Sequence, residues 1–92
     1  MRYRLSYTDE AKRALRDAPG FYRQRFRRAI DELASDPRPI HAEPMREPGF
    51  YKIRFDHWRL IYRVRDDLSE IRVLRVRAKT GPETYQGIEA RG

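Results

Sequence analysis

Tyr51-Lys52-Ile53-Arg54-Phe55 and, two residues later, Trp58-Arg59-Leu60-Ile61-Tyr62-Arg63-Val64-Arg65 decide how this chain folds. Apolar and cationic side chains largely alternate there with period two. In an extended strand that period sends neighbours to opposite faces. Tyr51, Ile53 and Phe55 fall on one face, Lys52 and Arg54 on the other. A sheet face of lysines and arginines suits a polyanion whose phosphates must be gripped.

Working outward, the spacing predicts three strands at about 50–56, 58–66 and 70–78. The connections, Asp56-His57 and Asp66-Asp67-Leu68-Ser69, are short enough to make neighbours antiparallel. Ile71, Val73, Leu74 and Val76 are apolar on both parities, so the last strand is expected to be central and covered on both faces. Thr80-Gly81-Pro82 ends it, and a short helical turn is expected within 83–90. Upstream, Tyr3, Leu5 and Tyr7 alternate with Arg2, Arg4 and Ser6, which reads as a first strand. Thr8 is placed to cap a helix whose first turn holds Asp9 and Glu10. Ala11, Ala14, Leu15 and Ala18 follow with helical spacing, and Pro19-Gly20 breaks it. A second helix starts near Phe21, carries Tyr22, Phe26, Ala29, Ile30 and Leu33 as one stripe, and ends at Asp36-Pro37. Residues 36–49, with four prolines and Gly49, read as an ordered loop. The expected fold is α+β, order β-α-α-β-β-β, a helical hairpin on a small, mainly antiparallel twisted sheet. The 92 residues are read as one domain, 1–92.

Composition narrows the chemistry. There is no cysteine, which excludes thiolate catalysis and cysteine-based metal sites. No apolar run is long enough for a membrane span, and the N-terminal residues are too polar for a signal peptide. The net charge is +7, densest in the strand-rich region, which favours nucleic acid, an acidic protein or another anionic surface. The same charge also does no more than solvate many proteins. His41 lies in the proline-rich loop and His57 at a hairpin turn; neither sits in an acid–base pattern.

The order of elements, the segment Tyr7-Thr8-Asp9-Glu10-Ala11, the exit Leu33-Ala34-Ser35-Asp36-Pro37, the strand pair quoted above, then Arg75-Val76-Arg77-Ala78-Lys79 and Glu83-Thr84-Tyr85 resemble the RelE/ParE toxin superfamily, and more narrowly its RelE-type messenger-RNA endoribonucleases. The resemblance covers nearly the whole chain. It implies a cytoplasmic toxin of a type II toxin–antitoxin system that enters the ribosomal A site and cuts the message without metal or cofactor. It also implies a cognate antitoxin partner and a toxin–antitoxin hetero-oligomer. The matching catalytic positions are Lys52, Arg54, Arg59, Lys79 and Tyr85. Lysine at 79 departs from the usual arginine, and Gly81-Pro82 depart from the usual charged run.

In that reading Arg59 clamps phosphate oxygens bidentately. Lys52 is the base, because neighbouring cations such as Arg54 disfavour its charged form. Lys79 protonates the leaving oxygen, and Tyr85 stacks on a base or orients the hydroxyl. Arg63, Arg65, Arg75 and Arg77, with Arg72, are expected to meet RNA phosphates or solvate the surface. Trp58, Tyr62 and Tyr51 are expected in the core. Two alternatives stay open: a ParE-like inhibitor of DNA gyrase, and an inactive RNA- or antitoxin-binding member of the same fold.

Overall fold

The computed structural model describes residues 2–79. It contains β1 (Arg4–Tyr7), α1 (Asp9–Asp17), α2 (Gly20–Leu33), β2 (Glu43–Pro44), β3 (Phe50–Phe55), β4 (Trp58–Arg65), a 3-10 turn (Asp66–Leu68) and β5 (Glu70–Ala78). The strands form one sheet in the order β1-β5-β4-β3-β2, with β1 parallel to β5 and the other neighbours antiparallel. The expected α+β order holds, with one strand added. The turn expected within 83–90 lies outside the described residues.

Thr8 caps α1 as its chemistry requires. Its Oγ1 accepts from the Ala11 amide at 3.0 Å and donates to the Leu74 carbonyl at 2.7 Å. One hydroxyl thus caps a helix and ties it to β5. Ala11, Leu15 and Ala18, followed by Phe26, Ile30 and Leu33 of α2, are buried. They pack on Ile53, Leu60, Tyr62, Val64, Ile71, Val73 and Val76. Both helices therefore cover one face of the sheet. Tyr62 is fully buried, with its hydroxyl donating to the Pro37 carbonyl at 2.8 Å, and Tyr51 and Trp58 pack against the same core.

Residues 36–49 are ordered by side chains. Arg38 reaches Asp66 at 2.6 Å and the Tyr51 hydroxyl at 2.9 Å, while the Tyr3 hydroxyl donates to Asp66 at 2.6 Å. Within this loop lies β2, where Glu43 pairs with Lys52 and Pro44 with Tyr51. Proline tells against a strand, but here it occupies a sheet edge, where a missing N–H costs no ladder bond. Gly49, at φ +91°, turns the chain from β2 into β3.

The two-parity pattern of β5 has a second cause besides its interior position. The register shifts between Ile61 and Tyr62, which face Arg75 and Val73, so Leu74 is an extra residue in a β-bulge. Val73 and Val76 both join the core under the helices, whereas Leu74 joins Phe50 and Ile61 on the opposite face.

Candidate functional site

The face turned away from the helices carries Lys52 and Arg54 from β3, and Arg59, Ile61 and Arg63 from β4. The bulge brings Arg75 and Arg77 into register with them. Cross-strand pairing lines up Arg54, Arg59 and Arg77 in one row over three strands. A second row runs Glu43, Lys52, Ile61 and Arg75. A third runs Phe50, Arg63 and Arg72.

Like charges directly opposite one another destabilise a sheet, so the compensation of the first row is informative. Its ends are neutralised. Arg54 presents its fork to Glu43, with Nε 2.9 Å and Nη2 3.3 Å from the carboxylate oxygens. Arg77 reaches Glu10 at 3.0 Å. Among the described residues the centre is not neutralised. Arg59 is only 8% exposed, and its Nη1 donates to two backbone carbonyls, Asp56 and Trp58, at 2.9 Å each. Its Nε is buried with no acceptor. Nε lies on the fork edge that Arg54 and Arg65 use to grip carboxylates. Among the described residues no carboxylate lies within ion-pair distance of Arg59.

The carbonyl that holds Arg59 is itself positioned. Asp56, at φ +57°, begins the two-residue turn between β3 and β4. Its carboxylate accepts from the Tyr22 hydroxyl at 2.8 Å and lies 3.7 Å from Arg25. That hydrogen bond pushes the Tyr22 hydroxyl above its ordinary pKa. Arg59 thus meets the Asp56 backbone, while the Asp56 side chain belongs to α2. The Lys79 amide donates to the His57 carbonyl at 2.7 Å, which keeps Lys79 opposite the same turn.

Lys52, Arg54, Arg59 and Arg77 therefore share one surface, with Lys79 at its end; Tyr85 lies outside the described residues. The remaining arginines differ in fate. Arg63 lies over the Phe50 ring at 5.2 Å, and Arg65 grips Asp67 at 3.2 Å. Arg75, expected at the RNA surface, is 5% exposed and reaches Glu10 at 2.8 Å. The bulge sets it beside α1, so it joins the helix to the sheet. Two acidic residues escaped the sequence reading, Glu10 and Glu43. The first looked like a helix-dipole residue and the second like loop, and nothing local marks either as a counter-ion to this face. Among the described residues no group of three or more histidine or acidic side chains converges as a metal site would need.

Residues 5–80 match the family model described as the ParE toxin of type II toxin-antitoxin system, parDE. No curated protein sequence matches the chain. In backbone the chain is similar to a free-state double mutant of E. coli toxin RelE, with a TM-score of 0.86 and 25% identity over 99% of this chain and 98% of that one. It is also similar to the archaeal RelE-RelB complex from Pyrococcus horikoshii OT3, with a TM-score of 0.71 and 26% identity over 87% and 98%. The intact E. coli RelBE toxin-antitoxin complex aligns at TM-score 0.77 and 23% identity over 86% and 99%, a likeness of fold.

Proposed function

Because the chain belongs to the ParE toxin family of type II toxin–antitoxin systems, we propose that it poisons translation in the cytoplasm by cutting messenger RNA in the ribosomal A site, and that a cognate antitoxin neutralises it. The observation that supports this reading is Arg59, a buried guanidinium without a carboxylate partner among the described residues, centred in a row of arginines on the sheet face turned away from the helices. A buried charge left unpaired is costly, and such groups concentrate where a ligand supplies the counter-charge.

In this reading the cut is an internal transesterification. The 2′-hydroxyl loses its proton, its oxygen bonds to the adjacent phosphorus, and the bond to the 5′-oxygen breaks. Negative charge grows on the non-bridging oxygens, where Arg59 and Arg54 stabilise it; preorganised cations of this kind often supply the largest catalytic term. Lys52, on the same face as Arg54, takes the hydroxyl proton. Lys79 returns a proton to the leaving oxygen, and Tyr85 orients or stacks. A loose strand of RNA rarely adopts the in-line geometry, so the ribosome supplies the positioning.

The family description names the parDE system, which favours gyrase inhibition as the second reading. Adding the purified chain to a translating extract and mapping message ends decides between them. Cuts within A-site codons are expected, reduced roughly 10²–10³-fold by Arg59→Lys, which keeps the charge and loses the fork. Intact message with trapped gyrase–DNA complexes would establish the second reading.

A further inference from the structure

We propose that Glu43 is a resident substitute for RNA phosphate, and that the face binds RNA by exchanging Glu43 for a phosphate on the fork of Arg54. This rests on the reading of the sheet face as an RNA surface. Three observations lead there. First, Glu43 meets Arg54 through Nε and Nη2 together, the same bidentate geometry that arginine offers a phosphate. Second, the pair is half in water, with Arg54 54% and Glu43 43% exposed; exposed pairs of this kind are weak and dissolve readily. Third, Glu43 sits on a two-residue edge strand, fixed from one side by its ladder with β3 and by the Met45 amide on the Phe50 carbonyl.

Arg59 and Arg54 thus differ in kind. The first has no counter-ion among the described residues; the second carries one that can leave. Before RNA arrives, Glu43 holds Arg54 in its binding rotamer and cancels its charge. When a phosphate takes the fork, Glu43 is released to water beside it. A polyanion must therefore displace a weak internal partner before it gains Arg54. The device lowers the affinity of this face for RNA by a small factor.

The exchange has a signature in salt dependence. Each phosphate contact on a single strand adds about 0.7 to the slope of log affinity against log salt. In the native chain the Arg54 contact adds less than that, because the freed Glu43 carboxylate keeps a negative charge beside the bound phosphate. The test measures binding of a 2′-O-methyl RNA oligonucleotide, which cannot be cut, to the full chain between about 50 and 200 mM salt. Glu43→Gln is expected to bind up to about fivefold tighter at low salt, with a slope steeper by up to about 0.7. Both gains should vanish when Arg54→Gln is added. An unchanged slope in Glu43→Gln, weaker binding, or a gain that survives Arg54→Gln would each overturn the exchange. The nuclease reading fails separately: native chain that binds the oligonucleotide with the expected slopes but leaves message intact in translating extract removes the cutting and keeps the exchange.

Discussion

Among the described residues Arg59 holds its buried charge with only carbonyl dipoles for company, and its Nε has no acceptor there. If that arrangement serves a ligand rather than the fold, an apolar side chain of similar length should be tolerated or better. Arg59→Met is therefore expected to raise the melting temperature, by roughly 4–8 °C if about 1 kcal/mol is recovered, while message cutting disappears. A lower melting temperature would mean that the carbonyl contacts hold the β3–β4 turn together. Asp66 carries a different kind of sensitivity. Hydrogen bonds from Arg38 and then Tyr3 hold its carboxyl below the usual carboxylate range. A depressed acid stabilises the native chain above its unfolded value, about 3.9, and loses that contribution as pH falls through the lower native value. Asp66→Asn should thus be less stable than the native chain at pH 7, and the two urea midpoints should converge as pH drops below about 4. A constant gap at every pH would show that Asp66 contributes by packing alone.

Thr8 and Glu10 join α1 to β5 by two separate routes. Thr8→Ala removes the cap, for about 1 kcal/mol, and also leaves the Leu74 carbonyl without its hydroxyl donor. Glu10→Gln breaks a pair in which the Arg75 side chain is 6% exposed, and is expected to cost about 3 kcal/mol in urea unfolding. It should also release Arg77 and steepen the salt dependence of RNA binding. These links separate what the sequence displays from what it conceals. The cap, the helical stripes and the alternation of β3 and β4 depend on neighbours in the chain, so they can be read directly, and with them the shared face of Lys52, Arg54 and Arg59. The second helix ends at Leu33, a turn short of the expected Asp36-Pro37, because Ala34 and Asp36 amides already close it onto Asp31 and Glu32. β2 is hidden because Pro44 argues against a strand and its ladder partners stand eight or so residues away, brought back by Gly49. Glu10 and Glu43 are hidden as counter-ions for the same reason: each reaches its arginine across the sheet, and no spacing rule encodes that meeting.

Seen entire, the described chain divides its labour by face. One side of the sheet is closed by two helices and supplies the core; the other gathers cations from three strands, and α2 adds Arg23, Arg25, Arg27 and Arg28 on the far side. A net charge of +7 predicts fast, salt-sensitive capture of acidic partners. Association of the antitoxin, followed by stopped-flow fluorescence, should slow steeply as ionic strength rises, while dissociation changes little. The bulge at Leu74 adds a consequence for length variation. β5 carries one residue of slack, so a deletion anywhere from Val73 to Arg75 restores simple alternation and leaves Arg77 facing outward. β4 has no such reserve. Losing a single residue there would invert half its side chains and drive either Arg59 or Tyr62 to the wrong side of the sheet. Shortened variants that still fold should therefore have lost their residue from the last strand and never from the one before it.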